Sequence, residues 1–189
     1  MVKLKGPQDP ASPPSHVLFG EDYVRTAVAL PRYIRMGAAI EKIGSLDKYP
    51  HGPTVDIRDP LDNVRGFLKL RHDFRKKPSR ADAVGYLIKR GLEIVENSAS
   101  PISPVDMPVD EITDKTLTVA VHVDQTSWDA VYGGARRDKI TVPERILVLI
   151  ESVLSLEYDE YGEIVRREEE RQAASQARPE KMNKERKDQ

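Results

Sequence analysis

An amphipathic helix that begins at a hydroxyl cap occurs twice in this sequence, and this repeat constrains the fold more than any other feature. Ser79 and Asp82, like Thr141 and Glu144, have the three-residue spacing of a capping box, in which each side chain satisfies a backbone N–H at the start of a helix. The apolar residues that follow recur at helical spacing, at Val84, Leu87, Ile88, Leu92 and Val95 and again at Ile146, Leu149, Ile150, Val153 and Leu154. Each helix, over about 79–96 and 143–156, therefore needs a partner to cover one apolar face.

A short strand is predicted ahead of each of these helices. Residues 117–123 and 23–30 are rich in β-branched side chains and alternate with a period of two. The inward-facing residues are Val119, Val121 and Val123 in the later strand and Thr26, Val28 and Leu30 in the earlier one. One face of each strand is therefore expected to join the core.

Each strand should also be followed directly by a short helix. Asp124 is a predicted cap for a helix through Trp128 and Val131, which Gly133 and Gly134 weaken because glycine is a poor helix former. In the first half, Pro31 is expected to open a helix over 31–44. The order strand, helix, capped helix therefore occurs twice.

The two halves differ in length. Leu30 corresponds to Val123, 93 residues later, whereas Ser79 corresponds to Thr141, only 62 residues later. We therefore expect about 31 extra residues in the first half, placed at about 46–76 between its two helices.

The remaining segments are polar or rich in proline. Residues 1–16 indicate a disordered arm, 98–114 a linker, and 165–189 a charged tail that is either helical or disordered. Two folded units remain, over 17–97 and 115–164. The predicted fold class is α+β, mainly α, with a short antiparallel two-stranded ribbon and four or more helices.

This order of elements resembles the ribbon-helix-helix family of DNA-binding proteins. The similar segments are 26–43, 79–96 and 117–154. The resemblance implies that two copies pair their strands into one ribbon, which enters the major groove of DNA, and that the start of each second helix holds a backbone phosphate. Here two divergent copies in one chain would form a tandem unit, with pairing either within the chain or across a homo-oligomer.

The resemblance also implies which residues would meet DNA. The outward strand residues are Arg25, Ala27, Ala29, Thr118, Ala120 and His122, and the phosphate anchors are the caps Ser79 and Thr141, with Lys139 beside the second. Alanine can contact only a thymine methyl group, so this ribbon would read base sequence weakly or would not touch bases at all.

Residues 65–80 form a basic segment in a chain whose net charge is only −1. Asp73 opposes seven cations, which are Arg65, Lys69, Arg71, Arg75, Lys76, Lys77 and Arg80. Such a cluster can neutralise phosphates and release counterions. It can equally be the solvated face of a helix that docks through its apolar residues, and the two interpretations are compatible because long cationic side chains can pack along their stems.

Several functional classes are disfavoured. The chain contains no cysteine, which excludes disulfides and cysteine-held metals and suits a cytoplasmic protein. The four histidines show no metal-ligand spacing, and Asp56, Asp59 and Asp62 indicate a capped turn rather than a cation site. No nucleotide-binding or catalytic motif is present and no apolar run is long enough to span a membrane, so we expect no enzyme activity, no cofactor and no membrane partner.

The sequence thus favours a non-enzymatic protein that binds double-stranded DNA as a repressor, in plasmid or phage maintenance, or in an architectural role. The alternative is a protein-interaction module on the same fold, such as an antitoxin, adaptor or assembly factor. It would hold a protein partner through the 46–76 insertion or the charged tail. The alanine-rich strand face and near-zero net charge favour the alternative, whereas the basic segment favours DNA binding.

Overall fold

The computed structural model describes residues 14–35, 54–97 and 116–185. It is α+β and mainly helical, and the inner face of a two-stranded antiparallel ribbon packs against its core. The elements are α1 (Pro14–Phe19), β1 (Tyr23–Pro31), β2 (Tyr33–Arg35), β3 (Thr54–Asp56), α2 (Arg58–Arg71), α3 (Arg80–Asn97), β4 (Thr116–Asp124), α4 (Gln125–Asp138) and α5 (Val142–Glu185).

The ribbon pairs β1 with β4, so the predicted antiparallel pairing is confirmed and occurs within one chain. Tyr23 lies opposite Asp124 at one end and Pro31 opposite Thr116 at the other, with Ala27 opposite Ala120 at the centre. The inward residues are buried or nearly so, as their alternation predicts. A two-stranded ribbon is marginal alone and depends on the helices that pack on its inner face.

The two capped helices supply that cover. All five residues of the α5 stripe are fully buried, and in α3 the stripe residues Val84, Leu87 and Ile88 are buried while Leu92 and Val95 pack partly buried against the core. The helices cross where Gly91 meets Leu149, since a Cβ built on Gly91 would lie 2.8 Å from the Leu149 Cβ. Both predicted stripes therefore form one core with the ribbon.

Gly85 lets α3 lie directly against β4. A Cβ built on Gly85 would lie 1.5 Å from the carbonyl oxygen of His122, so no other residue fits without moving the strand or the helix. The position that corresponds to Gly85 in the second half is Leu147, 62 residues later. The close approach that Gly85 allows is therefore not available at the corresponding position of α5.

The prediction of a helix over 31–44 is wrong for its first residues. Residues Tyr33–Arg35 form β2, which pairs antiparallel with β3. Ile34 is fully buried there, and Arg32 holds the small sheet in place because its Nε donates to Asp56 across 3.0 Å. Residues 36–44 lie outside the described part of the chain.

The first helix of the first half is α2, which lies inside the range 46–76. It buries Leu61, Val64, Phe67 and Leu68, and it has 14 residues, as α4 has in the second half. Most of the extra length, residues 32–57, precedes α2, whereas β4 runs directly into α4. The rest lies in the turn before α3, because residues 72–79 take the place of 139–141.

The glycine pair does not end α4, which continues to Asp138. Asp124 caps this helix as predicted, since its Oδ1 accepts from the Ser127 N–H across 2.9 Å. Gly134 is needed for packing, because a Cβ there would lie 2.8 Å from Nε of the buried Arg145. Arg145 in turn donates to Asp138 across 2.8 Å, which ties the end of α4 to the start of α5.

Both ends of the described chain are helical, which for the tail is the helical alternative of the prediction. The disordered arm predicted over 1–16 is wrong for residues 14–16, which belong to α1. At the other end, α5 has 44 residues, or about 66 Å of helix, and includes the tail as far as Glu185. The linker predicted over 98–114 and residues 1–13 lie outside the described part of the chain.

Candidate nucleic-acid interface

The outward face of the ribbon carries the six strand residues that the alternation assigned to it. The register places Ala27 opposite Ala120, Ala29 opposite Thr118, and Arg25 opposite His122. All are exposed except His122, which is partly buried. Small side chains at the centre leave a shallow surface on which the backbone of both strands can approach a ligand closely.

Arg25 is the longest outward side chain, and it is held in place. Its guanidinium lies 4.7 Å from the centre of the Tyr23 ring and donates to the Tyr23 hydroxyl. Tyr23 shares the outward face because it precedes Arg25 by two residues. The end of the ribbon at Tyr23 is therefore aromatic and cationic, whereas the centre is alanine.

His122, which the alternation places on the outward face, is held by two buried polar groups. Its Nδ1 lies 3.2 Å from Oδ1 of Asp82 and 2.9 Å from the hydroxyl of Ser15, which itself donates to Asp82. Ser15 and Asp82 are almost fully buried. His122 is therefore engaged inside the protein on its Nδ1 side.

The cap at Ser79 forms as predicted. The Ser79 N–H donates to Oδ2 of Asp82 across 2.8 Å, and the Asp82 N–H donates back to the Ser79 hydroxyl across 3.1 Å. Burial alone would raise the pKa of Asp82, but the hydrogen bonds from Ser15, Ser79 and His122 outweigh burial and hold that pKa below its usual value. The start of α3 thus already holds a carboxylate.

The cap at Thr141 has the same arrangement in a more exposed setting. The Thr141 N–H donates to Oε2 of Glu144 across 2.6 Å, and the Glu144 N–H donates back across 3.3 Å. Lys139 ends α4 in a left-handed conformation, and its side chain is exposed two residues before the cap. At both caps the carboxylate takes hydrogen bonds that a phosphate would otherwise accept.

Three cations of the basic segment have partners inside the protein. Arg65 and Arg80 both donate to Asp62, across 2.7 Å and 3.0 Å, and Arg65 also donates to the Pro78 carbonyl oxygen. Arg71 lies 5.7 Å from the centre of the Phe67 ring. Arg65 and Arg80 therefore help to fix the turn between α2 and α3.

The other four cations point into solvent. Lys69, Arg75, Lys76 and Lys77 are exposed, and none forms an ion pair with another described residue. Arg75–Lys77 end two residues before Ser79, and α3 begins beside the outward face because Asp82 contacts His122. Among the described residues these four cations are therefore exposed and unpaired, and three of them lie in the turn that leads into α3.

A cavity of about 390 Å³ lies elsewhere, between α1, α2, α3 and α5. Arg90 donates to Glu157 across 2.8 Å, and the Tyr161 hydroxyl donates to the same carboxylate. Burial raises the pKa of Tyr161 above its usual value, and the bond to Glu157 adds to this effect, so the hydroxyl keeps its proton. These three groups satisfy one another and join α3 to α5.

The sequence did not point to Ser15 as part of this region. Ser15 and Asp82 are 67 residues apart, and no local spacing connects a serine at the end of a proline-rich segment with a helix cap. Tyr23 and Thr116, by contrast, follow from the same alternation that identified Arg25 and Thr118.

No protein-family model, curated protein or solved structure matches this chain. Within the described ranges, no group of His, Asp and Glu side chains is placed to hold a metal ion. No helix among the described residues has the length and apolar character needed to cross a membrane. The function must therefore be inferred from the geometry of the ribbon and its surroundings.

The lowered pKa of Asp82 predicts an acid-sensitive fold. A carboxylate whose folded pKa is depressed stabilises the protein above its unfolded pKa, and this contribution is lost as pH falls through the folded pKa. We expect the difference in unfolding free energy between the parent and Asp82→Asn to shrink as the pH falls through and below 3.8, the usual pKa of an aspartate. Urea unfolding at several pH values measures this difference, and parallel curves for the two proteins would contradict the expectation.

Proposed function

We propose that this chain is a non-enzymatic DNA-binding protein that forms a tandem ribbon-helix-helix-like unit from its own two halves. The observation that carries the proposal is the antiparallel β1–β4 ribbon, with apolar residues inward and a small, exposed outward face. Each strand of the ribbon is followed along the chain by two helices, although in the first half residues 32–57 separate the strand from the first of these helices. A repressor, a plasmid or phage maintenance protein and an architectural protein are all consistent with this arrangement.

The ribbon would lie in the major groove with its alanine centre against the bases. Ala27, Ala29 and Ala120 offer only methyl groups, which can contact thymine but cannot donate or accept hydrogen bonds. Arg25, Thr116 and Thr118 are outward residues with exposed polar side chains. Base readout is therefore weak, and most of the affinity comes from the phosphate backbone.

The phosphate contacts come mainly from unpaired cations rather than from the helix caps. Asp82 and Glu144 already occupy the starts of α3 and α5, so a phosphate at either cap would face a carboxylate. Arg75, Lys76 and Lys77 carry no such partner among the described residues, and they lie in the turn before α3, whose Asp82 contacts His122 of the ribbon. Positive side chains there oppose the helix dipole, so helix stability does not explain their presence, whereas a bound polyanion does.

Changing Lys76 and Lys77 together to alanine tests this proposal. The fold should stay intact, because both side chains are exposed and neither forms an ion pair with a described residue. Affinity for random-sequence duplex DNA should fall several-fold, similarly for all sequences, and the slope of log affinity against log salt should shrink by about one per lost phosphate contact. Binding at several salt concentrations measures both quantities.

The matched control changes Arg166 and Arg167 to alanine, which removes two exposed cations on α5 that already pair with Glu170 and Glu163. DNA affinity and salt slope should match those of the parent. If the Lys76 and Lys77 variant behaves like this control, the basic segment is a solvated face and the proposed phosphate contacts are wrong.

One observation favours a second function, in which the chain holds a protein partner. Residues 166–175 of α5 are exposed almost throughout and are supported by ion pairs within the helix, such as Arg167 with Glu163. Such a helix extends past the core and offers a charged surface. The apolar face of α2, which lies in the 46–76 range, is buried in the core. The charged tail is therefore the better supported docking segment for a protein partner. Absence of DNA binding at low salt would favour this function.

A further inference from the structure

The outward face of the ribbon is covered at one end by α1. Ser15 is 1% exposed, and its hydroxyl donates to Asp82 while lying 2.9 Å from Nδ1 of His122. A six-residue segment before β1 thus reaches both the start of α3 and an outward residue of β4. The contact joins three parts of the chain that are distant in sequence.

Aromatic side chains extend this contact. The ring of His16 meets the ring of Tyr23 edge-on at 5.3 Å between centroids, and Tyr23 lies 5.3 Å from the ring of His122. Phe19 is 8% exposed, and its Cζ would lie 2.9 Å from a Cβ built on Gly85. Two outward residues of this ribbon end, Tyr23 and His122, therefore contact α1, whereas Arg25 beside them is exposed.

The opposite end of the ribbon has no equivalent cover among the described residues. Thr116 and Thr118 are exposed there, and the Thr141 cap is exposed as well. Cover by α1 therefore distinguishes the Tyr23 end of the ribbon from the Thr116 end. The covered end is the one that contacts the start of α3, which Arg75–Lys77 precede in the chain.

The α1 segment has little helical stability of its own. A helix of six residues does not hold its own shape in water, so α1 depends on its docking contacts. Gly20 ends it with φ of 81°, a left-handed conformation, and no atom lies within 4 Å of where a Gly20 side chain would begin. No neighbouring atom therefore packs against Gly20 at the joint between α1 and β1.

We propose that α1 is an autoinhibitory segment, which occupies one end of the DNA-binding face and must leave before duplex DNA can seat across the whole ribbon. This proposal rests on the proposed DNA-binding function. Undocking would free Tyr23, His122 and the start of α3 together, because the same segment covers all three. The apparent DNA affinity is then proportional to the undocked fraction of the protein.

Ser15→Asp in the full chain is the releasing variant, because it places a second carboxylate against Asp82. The matched control is Val17→Asp, which adds the same charge to the same helix at a side chain that is 60% exposed. If α1 is docked about nine-tenths of the time, Ser15→Asp should bind random-sequence duplex DNA about tenfold more tightly than Val17→Asp. Hydrogen exchange at the Gly20 amide, which donates to the His16 carbonyl oxygen, reports release.

The possible outcomes distinguish autoinhibition by α1 from the proposed DNA-binding function on which it rests. Equal affinity of the two variants, with faster Gly20 exchange in Ser15→Asp, would overturn autoinhibition and leave DNA binding in place. Weaker binding by Ser15→Asp would also overturn it, since α1 would then contribute contacts. Absence of DNA binding by the parent and both variants at low salt would reject the proposed function itself.

If Ser15→Asp fails to fold or leaves Gly20 exchange unchanged, Ser15→Ala combined with Phe19→Ala removes the anchoring hydrogen bond and the buried ring without adding charge. Tighter DNA binding is again the expected result. Faster Gly20 exchange without a gain in affinity would again overturn autoinhibition.

Discussion

Replacing Leu149 with alanine should lower the free energy of unfolding by about 2–5 kcal/mol, the usual range for a buried leucine. Leu149 is fully buried and lies at the crossing of α5 with α3. Its neighbour there is Gly91, which has no side chain that could fill the cavity. Leu87, its counterpart on the first stripe, should show a similar loss. Urea unfolding followed by circular dichroism measures the change.

Leu156→Ala is the control for this prediction. It removes the same atoms from the same helix at a side chain that is 70% exposed, so its effect should stay within about 0.5 kcal/mol. A loss below about 1 kcal/mol for Leu149→Ala would show that the stripe does not form the core.

Gly85→Ala should destabilise the protein by about 3 kcal/mol, although alanine normally favours a helix. The added methyl group would overlap the His122 carbonyl oxygen, which belongs to the backbone of β4 and cannot rotate away. Relief requires α3 and the ribbon to separate, which weakens contacts along the whole of their interface. Thermal or urea unfolding at neutral pH provides the measurement.

Gly133→Ala is the matched control, because Gly133 lies inside α4 with no atom within 4 Å of the added Cβ. It should stabilise the protein by up to about 1 kcal/mol, the gain in helix propensity. If both glycine variants were stabilising, the close approach of α3 to β4 would be wrong.

Features set by near neighbours in sequence could be predicted. The capping boxes at Ser79 and Thr141 depend on groups three residues apart, and the ribbon faces follow from strict alternation. The stripes of α3 and α5 could be recognised for the same reason. In each case the signal and the interaction lie within a few residues.

Features set by distant residues could not be predicted. The helix expected at Pro31 gives way to a strand because Ile34 is buried and Arg32 pairs with Asp56, 24 residues later. The extra length of the first half was assigned to the gap between its helices because offsets alone do not show where residues are added. At the candidate site, alternation placed Arg25 and the alanines outward, but nothing local connected Ser15 with Asp82 and His122.

The pairing of β1 with β4 inside one chain determines how the stability of the fold responds to protein concentration. A ribbon assembled from two separate chains loses stability as protein concentration falls, since its folding equilibrium includes association. Here the ribbon closes as a unimolecular step, so the midpoint of thermal unfolding should not depend on concentration. A cell could therefore keep only a few copies of this protein and still have nearly all of them folded.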